Sequence, residues 1–164
     1  MLTWLLGKEY NSDEQEYTNA ERNSIQIQDN WMYYYRTIQI NYTSYGLRCQ
    51  QDMISPGSYP DIIVLSYEDR EDVHPFWYAQ VIKIFHVFVI HHRSAPQVEQ
   101  TPIEPKHMDI LWVHWFRLNS DACGGWFKKC LYNISFILCD EPAALGFLDP
   151  AQVIWGVHLI PNFL

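Results

Sequence analysis

Apolar positions along this chain recur mainly with period two, the spacing of a half-buried strand. Ile38-Gln39-Ile40 alternates, Asp61 to Ser66 is a short apolar strand, and Phe76 to His91 is a long β stretch. Within the long stretch Trp77, Ala79 and Val81 share one face. Lys83 then falls on that face, and Ile82 and Ile84 on the other. This shift of phase predicts a bend or bulge, the means by which a small barrel turns a corner. Met108 to Phe116 reads as a strand apolar on both faces, and Trp126 to Leu138 as a further strand region.

The punctuation between these runs is turn chemistry. Ser55-Pro56-Gly57 and Gly124-Gly125 mark turns, and Ser94 to Pro105, with three prolines, is a loop. Tyr42 to Tyr59 is otherwise irregular. Near the end, Asp149 is a good N-cap, Pro150 fits the first helical position and Gln152 completes a capping-box spacing, with Gly156 ending the turn. Asp140 to Gly146 repeats that one-turn logic, and Val157 to Pro161 reads as a closing strand. Residues 8–30 are polar and mixed in charge, whereas Trp31-Met32-Tyr33-Tyr34-Tyr35 opens the ordered part. The fold class expected is therefore mostly β. A single domain over 31–164 forms a small open barrel with short one-turn helices. A polar lead-in over 1–30, disordered or a frayed helix around Ser12 to Arg22, precedes it.

Composition agrees with one sizeable core. The chain has 164 residues, 48% hydrophobic and 16% aromatic. Its net charge is −8. No stretch is rich in Lys or Arg, so direct DNA binding, which lines cations up on phosphates, is disfavoured, as is an anionic membrane surface. No apolar run approaches the ~20 residues of a membrane span. Cys49, Cys123, Cys130 and Cys139 lack the two-residue spacing of a zinc knuckle. The opening Met1 to Leu6 is too short for a signal-peptide core, which predicts a reducing compartment, nuclear or cytoplasmic, and free thiols.

The order of motifs carries a resemblance. His74-Pro75-Phe76-Trp77-Tyr78-Ala79-Gln80-Val81, then Ile84-Phe85-His86-Val87, then Leu111-Trp112-Val113-His114-Trp115-Phe116 is similar to the start of bromo-adjacent-homology and Tudor-like barrels. The chain also resembles the C-terminal region of fungal transposon-derived proteins of the Plavaka transposase group. That likeness rests on Asn41 to Tyr45, Gln51-Asp52, Asp61 to Ser66, the His74 to Ala79 strand, Gly146 to Pro150 and Gly156 to Pro161, in that order. It implies an SH3-like accessory barrel of mobile-element origin, without the catalytic transposase core, for which residues 1–37 are too short. It further implies a protein partner, with a histone tail or nucleosome as the candidate. The chain departs from the pattern where relatives look basic: Cys49 and Trp155 stand in place of arginines, and Phe127 precedes Lys128-Lys129. These lost cations weaken any inherited contact with DNA. They leave as the alternative an inactive remnant of a transposase accessory domain.

Candidate chemistry follows from the rings. A quaternary cation sits well on aromatic faces, so Tyr78, Trp112 and Phe116 are the candidate cage for a methylated lysine. The competing use of such rings is to fill the core, since alternation turns about half of them inward. Trp77 and Trp115 are assigned there. Glu68, Asp69 and Asp72, in an acidic loop, are candidate contacts for a basic peptide, although short charge runs more often just solvate. His86 and His114 lie on strands expected to pair, but a zinc site would need further ligands there, such as Cys123 or Cys130, and no metal site or cofactor is assigned. No Gly-x-Ser-x-Gly elbow, phosphate-binding glycine loop or His-Glu-x-x-His motif occurs, so no catalytic residue is assigned.

Overall fold

A computed structural model describes residues 4–5, 18–43, 49–66, 74–92, 104–119, 124 and 129–161. The described chain is mostly β. After a short helix, Asn19–Asn23, come ten strands: β1 (Ile25–Ile27), β2 (Tyr33–Tyr35), β3 (Ile38–Thr43), β4 (Cys49–Ile54), β5 (Asp61–Leu65), β6 (Phe76–His91), β7 (Lys106–Leu118), β8 (Ile134–Phe136), β9 (Leu145–Leu148) and β10 (Val153–Gly156). The main sheet runs β10-β5-β6-β7-β8 and, among the described residues, does not close on itself. A separate hairpin pairs β3 with β4. No helix among the described residues is long and apolar enough to cross a membrane.

The chain divides into two compact units, Met1–Tyr34 with Phe85–Ile110 and Tyr35–Ile84 with Leu111–Leu164. The long strands β6 and β7 contribute a half to each. In the first unit β1 pairs antiparallel with the far end of β6, Ile25 opposite His91 and Ile27 opposite Val89. Ile25–Ile27 is thus a strand inside the stretch read as a lead-in. Leu5, Ile25, Val87, Val89, Met108 and Ile110 are buried here. Trp31, Met32, Tyr33 and Tyr34 remain exposed.

The second unit holds the larger core. Ile62, Val64, Ala79, Val81, Leu111, Val113, Leu148 and Val153 are buried together, with Ile40 and Ile54 of the hairpin against them. Strand register explains the selection. Ile62 lies opposite Ala79, and Val64 opposite Trp77, so these turn one way. Asp61 opposite Gln80, and Ile63 opposite Tyr78, turn the other. The alternation of β6 breaks at Lys83, which is exposed, while Ile84 beside it is buried. The break sits where β6 passes from one unit to the other.

Local chemistry places several elements where the sequence predicts them. Gly57 has φ +93°, the left-handed conformation that suits glycine, and Tyr59 N–H returns to Ser55 O at 3.0 Å to close the turn. Asp149 caps a 3-10 turn over Pro150–Gln152, its Oδ1 accepting from Ala151 N–H at 2.9 Å. Three expectations are corrected. The irregular stretch Tyr42 to Tyr59 contains β4, whose outward face is polar: Gln51 Nε2 donates to Asn41 Oδ1 at 2.9 Å across the hairpin. The closing strand is Val153–Gly156, not Val157 to Pro161, because Val153, Trp155 and Gly156 are the residues that pair with β5. Of the stretch from Trp126 to Leu138, residues 126–128 lie outside the described residues, and within the described remainder Ile134–Phe136 is the strand that pairs with β7.

Candidate functional site

The face of the second unit's sheet opposite the core carries the aromatic residues singled out in the sequence. Register puts Asp61, Ile63, Tyr78 and Gln80 on this face of β5 and β6. On β7 Phe116 lies opposite Phe136 of β8, and the two rings stack at 4.2 Å. Residues Leu131 to Ser135 and Val157 to Pro161 wall this floor into a groove of about 870 Å³. At one end a second cavity of about 550 Å³ is lined by His74, Phe76, Trp77, Tyr78, Trp115, Phe116 and Leu145. Tyr78 and Phe116 line both. His74 meets Tyr132 edge to face at 4.3 Å and lies 5.8 Å from Tyr78, so it stands between the two phenol rings.

Trp112 is not among the residues that line either cavity. It lies opposite Phe147 in the β7–β9 pair. Trp77 is also displaced from its expected place. It is 36% exposed and meets Trp115 edge on at 5.8 Å. Trp115 packs against the core from its cavity position. Glu68, Asp69 and Asp72 lie outside the described residues.

The groove has one half-buried carboxylate, Asp61, which the sequence reading did not single out. Burial raises its pKa, opposed by a hydrogen bond from Gln80 Nε2 (3.4 Å) and by His158. Its alternation with Ile63 in the strand was the available signal. Burial also raises the Tyr78 hydroxyl, with Tyr132 adding to the shift, so Tyr78 is a neutral ring at ordinary pH. Arg117 at the cavity rim is paired with Glu141, so its charge is locally balanced.

A Cys–His couple exists on paper only. Cys139 Sγ lies 4.0 Å from His114 Nε2, but the same nitrogen is 2.8 Å from Ile137 O. A carbonyl only accepts, so Nε2 carries the hydrogen and cannot take a proton from the thiol.

In the first unit β6 and β7 bring His86 beside His107, not beside His114. The two ring centroids are 4.6 Å apart, and His107 Nε2 stands 3.7 Å from Asp109 Oδ1. Tyr33 lies flat on His86 at 4.7 Å, and Phe88 stands edge on to both. Burial, and then His107, lower the His86 pKa, with Asp109 opposing. Twenty-one positions separate His86 from His107 in the chain, so spacing gave no hint of this cluster. His107-x-Asp109 on one strand face was the legible half.

No protein-family model, curated protein or solved structure matches the chain.

Proposed function

We propose that this chain is a non-catalytic protein-interaction module whose second-unit groove takes a basic peptide. Tyr78 and Phe116 receive a lysine side chain, and Asp61 supplies the counter-charge. The observation that carries this reading is the shared placement of Asp61, Tyr78 and Phe116 in one groove of about 870 Å³. Ring faces attract an alkylated ammonium, and a half-buried carboxylate strengthens that attraction because little water intervenes. The volume falls within the range of small-molecule sites, enough for a few peptide side chains. The net charge of −8 favours a cationic partner. A histone tail, in the nucleus and within a nucleosome, is the partner class that joins this chemistry to the order of motifs along the chain. In the same reading the second unit is an SH3-like barrel of transposon origin.

The test is a histone-peptide array followed by nucleosome pull-down, with Tyr78→Ala, Phe116→Ala and Asp61→Asn beside the wild type. Retention of lysine-methylated peptides by the wild type, weakened about tenfold or more in the variants, is the expected result. Failure of the wild type to retain any peptide or nucleosome would remove the proposal.

A further inference from the structure

We propose that His86, His107 and Asp109 form a binding site for a divalent first-row transition metal of the zinc type. The site lies in the first unit and is independent of the peptide groove. His107 and Asp109 are two apart on β7 and therefore share a face. His86 comes from β6, the strand next to it in the sheet. One ligand atom from each of the three lies within 4.8 Å of the others. Ligands held at about 2.0–2.2 Å in a tetrahedron sit roughly 3.3 Å apart, so closure needs shifts of only about 1–1.5 Å. The parts that must move can do so: His107 and Asp109 have side chains 45% exposed. The part that should stay fixed is held, because His86 is buried (8% exposed) and clamped by the flat Tyr33 ring and the edge of Phe88.

The donor set also selects the ion. Two imidazoles and a carboxylate suit zinc, cobalt, nickel or ferrous iron, whereas calcium and magnesium require mostly oxygen donors. Three protein ligands leave a fourth position open to solvent. A surface His–Asp pair at 3.7 Å contributes little by itself. A bridging cation gives both groups, and the second imidazole 4.6 Å away, a common partner.

The experiment titrates the full, chelator-treated chain with Zn²⁺ by calorimetry and with Co²⁺ by visible absorption, for wild type, His107→Ala, Asp109→Asn and a His92→Ala control. His107 is exposed and Asp109 half-exposed, so both variants should keep the fold, which circular dichroism verifies. One metal per chain is expected, with affinity reduced at least about tenfold in both site variants and unchanged in the control. The cobalt spectrum should show no thiolate charge-transfer band. Absence of wild-type binding at about 100 μM metal, a regime of millimolar Kd, would overturn the site. So would wild-type affinity retained in His107→Ala and Asp109→Asn, or a thiolate spectrum, since either would place the metal elsewhere.

Discussion

The indole of Trp115 lies over the bare Cα of Gly146, so close that a Cβ there would stand 2.6 Å from its Nε1. Gly146 is in β9, one strand over from Trp115, and lies opposite Val113. Because the clash is with a ring held against the core rather than with a flexible tip, Gly146→Ala must push the indole away. Overpacking of this kind costs about 1–3 kcal/mol. Urea unfolding followed by tryptophan fluorescence should show a lower midpoint, and an unchanged midpoint would mean the ring does not sit there.

Trp115 itself should be expensive to remove. It packs against the buried cluster and also lines the end cavity. Trp115→Ala is expected to destabilise the second unit by about 3 kcal/mol, at the lower end for tryptophan because part of the ring is already exposed. Thermal denaturation measures this. Trp77→Ala, at the more exposed partner, should cost clearly less.

Asp52 ties the β3–β4 hairpin to β10. Its Oδ2 accepts from Gly156 N–H at 3.1 Å, and its Oδ1 lies 3.5 Å from the Tyr42 hydroxyl. Asp52→Ala leaves that amide without its acceptor, at a cost of about 1–3 kcal/mol. Asp52→Asn retains an acceptor oxygen and should lose less. Hydrogen exchange at Gly156, faster in the alanine variant than in the asparagine variant, would separate this bond from a general loss of stability.

Asp61 makes stability depend on pH in an unusual direction for a carboxylate. Its folded pKa is raised above the unfolded value of 3.8, so the fold binds the proton more tightly. The contribution is therefore full below that value and is lost as pH rises through the folded pKa. Asp61→Asn removes the term. The gap in unfolding midpoint, variant minus wild type, should widen in the variant's favour from about pH 3 to about pH 7. A gap independent of pH would refute this assignment.

The long strands were legible because their side chains report on a single local property. Phe76 to His91 is apolar, aromatic and β-branched along its length, and β6 spans those residues. The cap at Asp149 was equally local, needing only its own side chain and the amide two residues on. β4 was not legible. Its Cys49-Gln50-Gln51-Asp52 start is polar because one face of the hairpin carries a glutamine–asparagine ladder rather than a core. The same limit applied to the sites. Tyr78 and Phe116 were singled out from strand identity, but their company with Asp61 in one groove, and that of His86 with His107, depends on which strands become neighbours. Trp112, singled out with them, lies opposite Phe147 and lines neither of the two cavities.

Lys83 has one more role. It is the one permanently charged side chain in the sixteen residues of β6, and it interrupts the row formed by Ala79, Val81, Phe85, Val87 and Val89. That segment has no proline and high β-propensity, the profile of a chain that stacks with copies of itself before it folds. An exposed ammonium at its midpoint is a gatekeeper against that fate. Lys83→Val should leave a folded molecule in dilute solution yet form thioflavin-positive fibrils during refolding at concentrations where the parent stays clear.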